Sequence, residues 1–426
     1  MSRAVILVGN PARPYSRAMR IGRTLVAAGF EVEVAATADV DAPERERDGQ
    51  IEIRRYRPIG PLARSAARYR APDPGRARSG SRLARIVRAR RARFVEWVFW
   101  PHTVRAWWAA LARELAPADL YHACGLLALP PALAARGRDR RAGRRSAVIY
   151  DVIDVTLESN NALALPPLVR RLLGIRERRW ARAADAFIAV NEPIADRARG
   201  RWGLRPRPVV VPNYAEPWTA PSEPPDLIRE ELGLGKETRI CLFWGRLGPN
   251  LGLDETAEAI VTLPAAAMVV MGFGRGWDAS QARDRDPRFA GRHFTLPARH
   301  LDELPAWIAS ADVALVTLPP VSYNQRHSTP NKFLEAMAAG TPIVLGPDLP
   351  TMADLLARED LGSVARSMAP ADIAAAIREI LDVPAGERTA WRRRIAETAR
   401  ARYSWPRAAA AYRELLAALR LVGDAA

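Results

Sequence analysis

Lys332 and Glu335 stand three residues apart in TPNKFLEAMAAGTPIVLG, residues 329–346, a spacing that puts both side chains on nearly the same face of a helix. Thr329 suits an N-cap, Pro330 the first helical position, and Gly340 with Pro342 the stop. Residues 330–339 therefore read as one short helix, followed by a buried strand at 343–345. The first amide hydrogens of a helix lack partners and its dipole is positive there, so this start is suited to an anion. Lys332 fits a phosphate and Glu335 a sugar hydroxyl. Only Lys236 and Lys332 are lysines among 64 basic residues, which makes a lysine at this spot conspicuous. The competing reading is an amphipathic helix with a solvated Lys–Glu pair, worth little energetically.

Other candidate groups gather at strand ends. The run 239–245 leads into GRLGPNLG with Arg246, and 267–272 leads into GFGRG with Gly272 and Gly274. Small residues there let backbone amides approach a phosphate or a base, and a guanidinium fork matches two phosphate oxygens. In the first half, His122 ends one apolar run, and Asp151 and Asp154 end another. Each has a structural alternative, a hydrogen-bonded strand-end histidine or a capping acid. Two D-x-D strings, Asp39/Asp41 and Asp284/Asp286, lie in a polar loop and among arginines, so no metal site is expected.

The elements that must position these groups alternate between strand and helix. Strands are expected at 4–8, 30–36, 51–56, 119–123, 147–151, 185–190 and 208–212, and again at 239–245, 267–272, 292–296, 312–318, 343–346 and 361–365. Residues 15–29 and 81–115 read as helices, and 57–80, rich in Pro, Gly and Arg, as a mobile connection. Four prolines stiffen 213–227. The fold class expected is α/β, with two Rossmann-like doubly wound domains facing across a cleft. The divisions are 1–213, with a basic and aromatic insertion at about 57–115, a linker at 214–227, a second domain at 228–400, and a closing helix in 401–426.

At 426 residues with a net charge of +17, the chain is expected to meet an anionic partner: nucleic acid, a lipid surface or a phosphorylated small molecule. Two cysteines, Cys124 and Cys241, argue against a disulfide scaffold. The N-terminus runs straight into AVILVGN, without space for a signal peptide. No apolar run reaches the ~18 residues of a membrane span. Residues 81–101 are a different case. Leu83, Ile86, Val87, Phe94, Trp97 and Val98 form a helical stripe opposite Arg85, Arg88 and Glu96, with Arg90 inside it. This is the pattern of a helix lying in an anionic headgroup plane, or of one packed on its own domain.

Several segments in order, ARAADAFIAVNEPIADRARGRWGL, VVVPNYAEP, LFWGRLGPNLGLDETAEAI, VVMGFGRG, LPAWIASADVALVTLPP, NKFLEAMAAGTPIV and YSWPRAAAAYRELL, resemble those of GT-B-fold glycosyltransferases of the large retaining family four. The resemblance implies that Glu335 holds the donor ribose, Arg246 the donor diphosphate, and the Gly272–Gly274 loop the nucleotide. Asn331 and Lys332 stand where a subset of the family writes N-K. The family's second basic residue is Leu251 here, and its earlier acid is His327, so the diphosphate falls to Arg246 and Lys332 together. His122 and Asp154 stand at positions for the transferred sugar, with Asp151 beside them, and Arg17 and Arg20 as candidate acceptor contacts. The implied reaction moves a sugar, with retention, from a nucleotide-diphosphate donor to a hydroxyl acceptor, a lipid-linked or polysaccharide intermediate. No cofactor is implied beyond the donor as co-substrate. The location implied is cytoplasmic, with a peripheral seat on the inner face of the membrane if 81–101 docks there. A nucleotide-sugar epimerase on the same fold is the rival enzyme. A nucleic-acid binder is disfavoured, since no recognition module is present.

Overall fold

Ala4–Val8 and Ile240–Trp244 are buried at every position, so both faces of these strands are covered, as in a parallel sheet wrapped by helices. The computed structural model describes residues 2–12, 15–39, 42–59, 102–163, 165–221, 223–274 and 276–421. The helix expected at 81–101 and most of the connection at 57–80 lie outside them.

Two sheets result. The first contains β1 (Ser2–Val8), β2 (Phe30–Thr37), β3 (Arg45–Asp48), β4 (Ile51–Tyr56), β5 (Leu120–Cys124), β6 (Ala147–Val152), β7 (Ala186–Ala189) and β8 (Val209–Val210), in the order β3-β4-β2-β1-β5-β6-β7-β8. The second contains β9 (Arg239–Arg246), β10 (Ala266–Phe273), β11 (His293–Pro297), β12 (Val313–Val316), β13 (Ile343–Leu345) and β14 (Gly362–Val364), in the order β11-β10-β9-β12-β13-β14. Every pairing is parallel except β3 with β4. In the second sheet the strand order reverses between β9 and β12, and in the first between β1 and β5. Crevices open at the carboxyl ends of strands at such points. Arg246 is the last residue of β9, and His122 lies two residues before the end of β5.

The period of two sorts each strand into two cores. Val5 and Leu7 face one cluster and Ala4, Ile6 and Val8 the other. Cys241 and Phe243 oppose Ile240, Leu242 and Trp244 in the same way. The edge strand β3, sequence RERD, was not expected. It has no apolar face, pairs in the sheet with β4, and meets Arg23 through Asp48 at 3.5 Å.

The chain then returns to its beginning. Helix Trp405–Ala418 buries Trp405, Tyr412 and Leu416 in the first domain's core. The Trp405 indole donates to Thr24 Oγ1 at 3.0 Å, and the Trp405 backbone N–H donates to Ala215 O at 2.8 Å. Among the described residues no helix is long and apolar enough to cross a membrane.

Candidate active site

Helix Asn331–Ala339 starts one residue later than its sequence suggests. Pro330 takes the cap position, extended at φ −65° and ψ 155°, and no side chain caps the first turn. Thr329 instead lies near Asn191, whose Nδ2 is 3.4 Å from its hydroxyl. Gly340 ends the helix in the left-handed conformation. Lys332 leans over the Phe243 ring, Nζ 4.3 Å from the centroid. Burial pushes its pKa down to about 8, against the pull of Glu335. Glu335 Oε2 accepts a hydrogen bond from the Trp244 indole at 2.8 Å. Burial raises its pKa in turn, opposed by Trp244, Arg20 and Lys332. Both side chains stay partly accessible while protein atoms surround them. The pair is a lone desolvated cation beside a tethered acid, an arrangement that gains from an incoming anion.

Around this pair the strand exits crowd together. A Cβ on Gly272 would meet Gly245 O at 2.1 Å, and one on Gly274, at φ +113°, would meet Leu247 O at 2.8 Å. Only glycine lets β9 and β10 leave the sheet this closely. Arg246, at the end of β9, is exposed. Asn331 Nδ2 donates to Ser16 Oγ across the cleft at 2.9 Å, while its Oδ1 is buried without a hydrogen-bond partner among the described residues.

On the facing side, Arg17 grips Asp151 through Nε to Oδ2 at 2.7 Å and Nη2 to Oδ1 at 2.8 Å. Its Nη1 donates to Val211 O at 2.9 Å and to Asn213 Oδ1 at 2.7 Å. Burial alone would raise the Asp151 pKa, but Arg17 and His122 outweigh it and hold the carboxylate below its usual range. His122 is fully buried, its Nδ1 3.0 Å from Tyr412 Oη and its Nε2 3.3 Å from Asp151 Oδ2. Cys124 Sγ completes a trio whose donor atoms all lie within 4.8 Å of one another. A cation is a poor fit there, because the Arg17 charge already occupies both Asp151 oxygens. Asp154, two residues past β6, is exposed to the cleft, and burial of its surroundings raises its pKa.

A clasp joins the halves on one side. Asn324 pairs with the Val155 backbone like a short strand, accepting from its N–H and donating to its C=O, both at 3.1 Å. Asn191 Nδ2 donates to His327 O at 2.8 Å, and Tyr323 Oη to Pro193 O at 3.2 Å.

Residues 238–383, which hold β9 to β14 and the Lys332 helix, match the family model described as glycosyl transferases group 1. The chain carries a group 1 glycosyltransferase domain. No curated protein matches it. Solved structures align with the whole chain at low identity. Sucrose-phosphate synthase from Thermosynechococcus elongatus is 18% identical with a TM-score of 0.68, covering 98% of this chain and 100% of that one. The Anabaena protein HepE in complex with UDP-glucose is 15% identical with a TM-score of 0.65 over the same shares. A UDP-forming trehalose-phosphate synthase from Burkholderia xenovorans, in complex with glucose-6-phosphate, is 15% identical at 0.63, again covering 98% and 100%. At such identities these likenesses establish the fold, two Rossmann-like domains in the GT-B arrangement.

In this fold Lys332, Glu335, Asn331, Arg246, Gly272 and Gly274 come together at the carboxyl edge of the second sheet, and Asp154 stands open on the facing domain. Four of the expected contacts are held within the first domain. Arg17 and Asp151 pair with each other out of solvent. Arg20, also buried, donates to Asn213 O at 3.1 Å, to Tyr214 O and to Ser16 Oγ at 2.8 Å. It anchors the linker and lends its charge to Glu335. His122 has both ring nitrogens engaged, by Tyr412 and Asp151. Sequence reasoning missed Trp244, although an indole at a strand end is a ready donor to a nearby acid. It also missed Asn324, Asn191 and Tyr412, whose partners lie more than a hundred residues away.

Proposed function

We propose that this protein transfers a sugar from a nucleotide-diphosphate donor to a hydroxyl acceptor, with retention at the anomeric carbon. The observation that carries the reading is the Lys332–Glu335 pair on one helical turn, Glu335 tied to Trp244 and Lys332 in no salt bridge among the described residues. The ribose hydroxyls bind Glu335, and the diphosphate lies between Lys332 and Arg246 against the Gly272–Gly274 loop. The free Oδ1 of Asn331 accepts from a donor hydroxyl. As the bond from the anomeric carbon to the phosphate oxygen breaks, negative charge grows on the leaving diphosphate. Lys332 and Arg246 stabilise it there, so they act on rate as well as affinity. The acceptor oxygen bonds to the same face of the carbon, and its proton passes to the departing phosphate oxygen. Asp154 orients the incoming sugar. Neighbours solved with UDP-glucose and glucose-6-phosphate make UDP-sugars the first donors to try. A lipid-linked or polysaccharide intermediate is the acceptor class proposed, and the reaction needs neither a metal nor a further cofactor.

Thermal shift against nucleotide sugars identifies the donor, since a ligand at about 100 times its dissociation constant stabilises by roughly 2.7 kcal/mol. With that donor, Lys332→Ala and Arg246→Ala each lower turnover by about 10²-fold or more while the fold persists. Glu335→Gln mainly weakens donor binding. EDTA leaves transfer intact. Wild-type rates in the folded variants overturn the site, and donor conversion without any acceptor returns the epimerase reading.

A further inference from the structure

Seven large apolar side chains are exposed among the described residues, and four of them, Leu163, Leu168, Leu172 and Ile175, fall in one short stretch of the first domain. Three lie on helix Pro167–Ala181. With 3.6 residues per turn, Leu168, Leu172 and Ile175 fall within an arc of about 60°. They are 67%, 53% and 61% exposed, far beyond the scattered surface leucine of a soluble face.

The charges on the same helix are sorted. Arg179 continues the apolar arc, Arg171 and Arg178 flank it on one side and Arg176 on the other, and all four are exposed. None pairs with an acid among the described residues. The helix's one acid, Glu177, sits about 180° from the centre of the arc. It is fully buried and faces Arg201 Nε at 3.5 Å. The outward face therefore offers only aliphatic carbon and uncompensated positive charge. That combination excludes water poorly and repels a second copy of itself, but it complements a surface that is apolar beneath and anionic on top.

We propose that helix Pro167–Ala181 lies on an anionic phospholipid surface, with Leu168, Leu172 and Ile175 in the acyl boundary and Arg171, Arg176, Arg178 and Arg179 among the phosphates. In sequence this helix is a different stretch from 81–101. The helix follows β6, so its N-terminal half, with Leu163 just before it, lies at the carboxyl edge of the sheet where Asp154 opens to the cleft. A membrane there brings the cleft mouth to the headgroup plane.

Flotation of the full chain on sucrose gradients tests this, with vesicles of phosphatidylcholine alone or mixed with phosphatidylglycerol. The wild type should be recovered with the mixed vesicles at low salt, and lost with phosphatidylcholine alone or at high salt. Replacing Leu168, Leu172 and Ile175 together by Glu should cut recovery about tenfold or more, and so should replacing the four arginines by Gln. Both variants should keep the wild-type melting temperature, since the positions are exposed. Absence of wild-type recovery overturns the proposal. So does equal recovery of the variants, which would move binding to another surface, and so does a wild-type dimer in sedimentation velocity that the variants dissociate, which would show that a second copy covers this face. None of these readouts uses donor or turnover, so their failure leaves the transferase reading standing.

Discussion

Lys332 carries its charge against the cost of burial, with a pKa of about 8 in the unliganded protein, and this gives a pH dependence whose sign can be worked out. The diphosphate needs the ammonium form, so donor affinity and kcat/KM should fall as pH rises through about 8. A bound diphosphate favours the charged form, so kcat should fall later than kcat/KM. Lys332→Arg keeps a charge that does not titrate in this range, so its profile should be flat. Stability runs the other way. The folded pKa lies below the unfolded value near 10.5, so between about 8 and 10.5 the unfolded chain holds more protons and folding is strengthened as pH rises. Lys332→Met removes the buried charge, so near neutral pH it should melt no lower than wild type while turnover falls about 10²-fold. A melting temperature well below wild type would show that Lys332 stabilises the empty protein, the contact with the Phe243 ring outweighing the cost of burial.

Among the elements, the strand exits make the strongest demand on sequence. Gly272→Ala sets a Cβ against the Gly245 carbonyl at 2.1 Å, backbone against backbone, where no side chain can swing away. A loss of roughly 1–3 kcal/mol is expected, read as a lower urea midpoint. Gly248, whose added Cβ meets nothing within 4 Å, is the control, and Gly248→Ala should stay within about 0.5 kcal/mol. Equal effects at the two positions would remove the packing argument. These strands were legible in the sequence because fully buried strands read as unbroken apolar runs bounded by Gly, Pro and Asp. The β3 edge was not, because RERD carries no apolar face and is defined only by its neighbour. The Lys332 helix was placed to within one residue, since Pro330 fits either the cap or the first turn. Arg17 and Arg20 were read as open because an arginine's sequence neighbours do not reveal its partner, and Asp151 lies 134 residues away. Local pattern marked where the candidate site is, and long-range pairing decided which polar residues support it from beneath.

At the scale of the whole molecule the last helix completes the first domain. Trp405, Tyr412 and Leu416 are at most 4% exposed, and full burial of such side chains is worth about 1.5–3 kcal/mol each. The sum, roughly 5–9 kcal/mol, rivals the 5–15 kcal/mol by which a native protein typically outweighs its unfolded state. Removing the helix also leaves His122 Nδ1 without its Tyr412 partner in a buried site, which loosens the Asp151–Arg17 network and, through Arg17 and Arg20, the linker start at Asn213 and Tyr214. A chain ending at Ser404 should therefore lose the first domain before the second. Under limited proteolysis, cleavage should concentrate within residues 2–213 while a fragment spanning 228–400 persists, because the second sheet and its helices keep their own cores. Tyr412→Phe separates packing from hydrogen bonding. The ring still fills its place, only the hydroxyl is lost, and the cost should be about 1 kcal/mol. Equal protection of both halves in the truncated chain would mean that the first sheet stands without its closing helix, and the link from the tail through His122 to the cleft would fail with it.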